Sequence, residues 1–117
     1  FLMPRYAIVS VSHEVKYPDP IEVTTGDRLT LTGEVDIWDG HRWLWAVAHD
    51  GKAGWIPDTL VVEDDNAPVA CTEYSAQELP CTAGEGLEIL HSDHGWAWCR
   101  NATQMEGWVP QRNLTAH

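Results

Sequence analysis

The sequence predicts an all-β chain built as two consecutive copies of one small domain. Two observations carry that prediction. Three residue patterns occur twice in the same order, and no segment holds a helical period over ten residues. Gly26-Asp27-Arg28-Leu29-Thr30-Leu31 is echoed by Gly84-Glu85-Gly86-Leu87-Glu88-Ile89, and Trp43-Leu44-Trp45 by Trp96-Ala97-Trp98. Gly54-Trp55-Ile56-Pro57 returns as Gly107-Trp108-Val109-Pro110, and eleven residues separate the first Trp from that Gly in both copies. A fixed internal period marks repeated structural units. Each unit of roughly sixty residues stands near the lower limit of independent folding.

The elements follow from short β-branched and aromatic runs punctuated by turn residues. In the first copy Tyr6–Val11 reads as a strand and Tyr17-Pro18-Asp19-Pro20 as a loop. Ile21–Thr24 is short and extended, Gly26-Asp27 a turn and Arg28–Glu34 a strand. Trp38-Asp39-Gly40-His41 reads as a loop, Trp43–Ala48 as the clearest strand, and Asp50-Gly51 as a hairpin turn that readily supplies positive φ. Ala53–Ile56 returns and Val61-Val62 closes the copy. Glu63-Asp64-Asp65-Asn66-Ala67-Pro68 has three acids and no apolar period, so residues 63–68 are expected to be an acidic linker. It separates domains expected at residues 5–62 and 69–117. The second copy repeats the order. Val69–Tyr74, Leu79–Thr82, Leu87–His91, Trp96–Asn101 and Gly107–Val109 are extended, and Leu114 closes.

Eighteen acidic against seven basic residues give a net charge of −11. That charge repels nucleic-acid phosphates and anionic lipid surfaces, and it favours cationic partners. It also keeps a protein soluble. Three Cys in a lopsided arrangement, with no C-x-x-C, suit reducing conditions and a cytoplasmic location. No apolar run reaches spanning length, and no signal-peptide pattern opens the chain. Met3 reads as a native start, with Phe1 and Leu2 as an appended scar. No nucleophile elbow, phosphate-cradling Gly loop or metal-ligand set is visible, so no catalytic residue, cofactor or metal is expected. His91-Ser92-Asp93-His94 reads as a solvated loop.

The second copy resembles an SH3 (Src-homology-3) domain, of the variant type found in bacteria. Ala70-Cys71-Thr72-Glu73-Tyr74-Ser75-Ala76 is similar to the family's opening A-L-Y-D-Y-x-A. Glu78-Leu79-Pro80-Cys81-Thr82-Ala83-Gly84-Glu85 resembles its E-L-S-F-x-x-G-D, and Gly107 to Leu114 its closing G-x-x-P-x-N-Y-V. The first copy resembles the family more loosely, with His13 in the second Tyr place of the opening motif.

The resemblance implies two tandem five-stranded SH3-like β-barrels. It turns Leu29, Leu31, Leu87 and Ile89 inward. It makes Ile21, Val23, Ala46, Ile56 and Val61 core positions in the first copy, and Leu79, Cys81, Cys99, Val109 and Leu114 in the second. It also implies a shallow aromatic groove that grips an extended, proline-rich segment. Carried over, the groove residues are His13, Trp43, Pro57 and Leu60 in the first copy, and Tyr74, Trp96, Pro110 and Asn113 in the second. Loop acids expected to attract a ligand Arg or Lys are Glu14, Asp19, Glu73 and Glu78. The expected function is non-catalytic recognition of a protein or peptide, Pro-rich or basic, without nucleic acid or membrane. The alternatives are a structural or subunit-interface domain, and a bacterial module for cell-wall or enzyme targeting. Trp45 and Trp98 either cover a sheet face or pack between the copies. Trp55 and Trp108 read as structural.

Overall fold

The computed structural model describes residues 5–116; the expected start at Met3 lies outside the described residues. Among the described residues the chain is all-β, with two short 3₁₀ turns at Asp58–Leu60 and Gln111–Asn113. The strands are β1 (Arg5–Val9), β2 (Glu22–Val23), β3 (Leu29–Trp38), β4 (His41–Ala48), β5 (Ala53–Pro57) and β6 (Val61–Asp64). Then come β7 (Ala67–Ala70), β8 (Tyr74–Ser75), β9 (Gly86–Asp93), β10 (Trp96–Arg100), β11 (Glu106–Pro110) and β12 (Leu114–Ala116). Trp38-Asp39-Gly40-His41 is the tip of a β3–β4 hairpin and not a loop between separate strands. Positive φ at Asp39 (49°) and Gly40 (78°) lets two residues reverse the chain.

The folded units do not follow the sequence repeat. One compact unit is contiguous, Asp19–Gln77; the other, split unit comprises the chain up to Pro18 and the chain from Glu78 onward. The expected division into domains at 5–62 and 69–117 therefore describes the motifs and not the packing. The opening strands are exchanged. β1, from the first copy, pairs with β9 and β12 of the second; β7, from the second copy, pairs with β6 of the first. In the split unit the sheet order is β11-β10-β9-β1-β12. In the contiguous unit β3, β4 and β5 form one sheet, β6 pairs with β7, and the bridge Arg28↔Val69 joins them.

The expected linker explains the exchange, because it is a hairpin. β6 and β7 pair from Val61↔Ala70 to Asp64↔Ala67, leaving only Asp65 and Asn66 between them. Both lie at positive φ, 51° and 61°, as a two-residue type I′ turn requires, and Asp and Asn tolerate it best after Gly. In the split unit the first and last strands are antiparallel neighbours too, Val9↔Leu114. Two residues reach only ~7 Å. The last strand of copy one thus delivers copy two's opening strand to its own side. β1 is left to fill the same place beside β12.

Each unit has its own core. In the contiguous unit Ile21, Val23, Leu29, Ala46, Ala48, Ile56, Leu60 and Ala70 pack together, with Leu44, Val61, Tyr74 and Ala76 against them. In the split unit Val9, Leu79, Cys81, Leu87, Ala97, Cys99 and Val109 do so, with Ile89 and Leu114 at the margin. Ile21, Ile56, Leu79 and Leu87 are almost wholly buried. Each such side chain contributes about 1.5–3 kcal/mol by leaving water. Leu31 departs from expectation: it is 37% exposed, at the start of the register irregularity between Leu31 and Val35.

Candidate functional site

The exchange re-pairs the expected groove residues. His13 joins Trp96, Pro110 and Asn113 in the split unit; Tyr74 joins Trp43, Pro57 and Leu60 in the contiguous one. The two positions are equivalent. His13 bridges Cys81 in the way that Tyr74 pairs with Val23. The backbone N–H of His13 donates to the Cys81 carbonyl at 2.9 Å, and that of Cys81 donates back at 3.0 Å.

In the split unit β10 and β11 set Trp96 opposite Pro110. The Trp96 indole is half-buried, and the His13 ring meets it edge-on, with centroids 5.6 Å apart and planes at 77°. The 3₁₀ turn after Pro110 buries Asn113. The Asn113 carbonyl accepts from the backbone N–H of Ser10 at 2.7 Å and from the Ser10 hydroxyl at 2.9 Å. The turn is thereby fastened to the end of the exchanged strand.

Glu78 corrects an expectation. It is not a loop acid offered to solvent: its side chain is 8% exposed and its oxygens are engaged. Oε1 lies 2.9 Å from Nε2 of His13, and Oε2 accepts from the N–H groups of Lys16 (3.1 Å) and Tyr17 (3.2 Å). Burial works against the charged carboxylate. The His13 hydrogen bond and those from the Tyr17 and Lys16 N–H groups outweigh it and hold the Glu78 carboxyl below its ordinary range. With the carboxylate ionised, Nε2–H of His13 is the donor. Lys16 and Tyr17 lie just before the chain leaves the split unit, and Glu78 is where it returns. One carboxylate thus ties both ends of the break together. The contiguous unit has Pro20 at the matching place of the repeat, with no such group. No sequence signal separated Glu78 from the other loop acids, since its partners come from the other copy.

The contiguous unit differs at the groove position itself. Trp43 pairs with Pro57, but its indole is only 9% exposed. Pro57 and Leu60 are buried, and Leu60 belongs to the core. Tyr74 is half-buried against that core. The expectation of an open indole in each unit is therefore corrected for Trp43. Of the remaining loop acids, Glu14 and Glu73 are exposed, and Asp19 lies 3.3 Å from the Lys52 ammonium.

Four other Trp residues pair across strands within their own units. Trp45 meets Trp55 edge-to-face at 5.1 Å, and Trp98 meets Trp108 at 5.2 Å. His91 stacks on Trp98 at 6.1 Å, and Trp98 Nε1–H donates to Glu106 at 2.8 Å. Such pairs contribute about 0.5–1.5 kcal/mol beyond burial. Burial, aided by nearby Cys81, pushes the Cys99 thiol up to about 12, and burial also raises that of Cys81. Neither thiol is poised as a nucleophile.

One known sequence family matches the chain, at two places. A family model described as the variant SH3 domain matches residues 6–64 and again residues 70–115. The chain belongs to the variant SH3 family. Neither the curated proteins nor the solved structures give a match. The SH3 matches follow the sequence copies, whereas the SH3 motifs are distributed between the folded units by exchange. SH3-type domains generally mediate protein–protein interaction and are typically non-catalytic.

Proposed function

We propose that the protein is a non-catalytic recognition module that takes a peptide or protein segment in the groove of its split SH3-like barrel. The observation that carries this reading is the half-buried Trp96 indole set beside Pro110 and braced edge-on by His13. A flat ring beside a proline offers apolar area to an extended ligand. A polyproline II segment is already extended and loses little freedom on docking. With Glu78 engaged internally, Glu14 is the acid left to attract a basic ligand residue, helped by the net charge of −11. The test is titration of the intact protein with Pro-rich peptides flanked by Arg, followed by amide shifts. Trp96→Ala is expected to weaken binding about tenfold or more; unchanged affinity would remove the reading.

A second reading, a structural or subunit-interface domain, draws support from the burial of Trp43 in the contiguous unit. It expects no peptide to bind either groove, and Trp96→Ala to alter assembly instead.

A further inference from the structure

Strand β3 has an edge that the groove does not use. On one side it pairs with β4 from Leu29↔Ala48 to Trp38↔His41. On the other, pairing stops where the strand begins. Arg28↔Val69 is a lone bridge; the next residue of β7 toward β3 is Pro68, which has no N–H to donate. Beyond it the Asp65–Asn66 turn carries the chain away. In the split unit the matching strand β1 holds β9 over four pairs, from Arg5↔Ile89 to Ile8↔Gly86. Among the described residues no strand pairs with Thr30–Ile37 on this second side, and every residue from Thr30 to Ile37 is exposed.

A long unpaired edge is a template for another strand. This one is not chemically neutral. Gly33 stands at φ 90° within the irregularity between Leu31 and Val35. Past it alternation sets Val35 and Ile37 on one side of the ribbon and Asp36 on the other, with Glu34 at the end of the irregular stretch. Val35 is 45% and Ile37 63% exposed. A second copy docking antiparallel would bring these acids against their own kind, which is unfavourable across strands. A segment alternating apolar residues with Lys or Arg would satisfy both rows and the backbone edge together. We propose that the outer edge of β3, over Thr30–Ile37, accepts an extended, alternating apolar and basic segment of another protein as an added strand. Backbone hydrogen bonds supply the affinity, and the apolar and acidic rows select the partner. The net charge of −11 favours the encounter.

The experiment uses the intact protein and a peptide of about ten residues alternating valine and lysine. Amide exchange across Thr30–Ile37 is expected to slow on binding. A peptide of the same composition in two blocks, valines then lysines, is expected to bind on the order of tenfold more weakly. Reversing the acids together, Glu34→Lys and Asp36→Lys, is expected to weaken binding similarly, while Trp96→Ala leaves it unchanged. Equal affinity for the block peptide, or slowed exchange confined to other residues, overturns the proposal. So does slowing at Thr30–Ile37 that grows with protein concentration alone, which would make a second copy the occupant. Loss of binding in Trp96→Ala would assign the peptide to the groove and overturn it too. The block-peptide comparison needs no altered protein, so it stands if the charge-reversed variant fails to fold.

Discussion

The two units contain the same strands in the same order of pairing, yet they are held differently. The contiguous unit closes its opening strand with a covalent two-residue turn at Asp65–Asn66. The split unit has no such link. Its opening strand arrives from the other end of the chain and is kept by β9, β12, the Ser10–Asn113 bonds and the Glu78 clamp. A fold tolerates its first strand from any source that offers the right edge pattern, provided local contacts replace the lost connection. The groove differs correspondingly: Tyr74 and a buried Trp43 in one unit, His13 and a half-buried Trp96 in the other.

Cutting the chain is expected to have the largest effect. A fragment covering residues 19–77 is expected to fold alone and unfold cooperatively, because its core is complete. Fragments cut between the sequence copies, after residue 64, are expected to melt lower than the intact protein, since each must seat an opening strand that lacks the contacts of the native one, in the split unit the Ser10–Asn113 bonds and the His13–Glu78 pair. Circular dichroism and thermal melting check this; a 65–117 fragment as stable as the intact protein would contradict that account. Next in size are the two repeat glycines. A Cβ on Gly107 would meet backbone atoms of Glu78 and Leu79 at 2.6 Å, whereas on Gly54 it would meet a methyl of Ile21 at 3.0 Å. Overpacking costs about 1–3 kcal/mol, offset by about 0.4–1 from the unfolded chain. Gly107→Ala is therefore expected to lose about 2–3 kcal/mol and Gly54→Ala about 1 or less in urea unfolding.

A smaller effect separates the units by pH. The Glu78 carboxyl is held low in the fold, so the folded state binds fewer protons there than the unfolded chain. Its contribution is complete above the unfolded carboxylate range and is lost as pH falls through its folded value. Glu78→Gln is expected to destabilise the split unit by about 1–2 kcal/mol at neutral pH. The gap from the unaltered protein should shrink below about pH 4. A gap that widens on acidification would reverse the assignment. The smallest change is Asn66→Gly, which relieves a positive φ of 61° and is expected to raise stability by about 0.5 kcal/mol.

Local features were legible in the sequence. Alternation and turn residues located most strands, and the resemblance to SH3 domains implied the buried set around Ile21, Ile56, Leu79 and Val109. Partner choice was not. Either opening strand satisfies the same pattern of apolar positions, so periodicity cannot decide which sheet receives it. The deciding signal was the length of Glu63–Pro68, and its acids and proline looked like a linker. Asp65-Asn66 between two extended runs was the hairpin sign. The clamp by Glu78 and the burial of Trp43 depend on residues brought together only after that choice.

The two-residue turn also fixes an order of events during synthesis. Residues 19–77 leave the ribosome as a finished pattern and close locally, while β1 has already emerged without its partners. It waits until β9 and then β12, its neighbours on either side, have been made. β1 is thus the last strand to find its place, and it spends nascent life as a bare strand seeking a sheet.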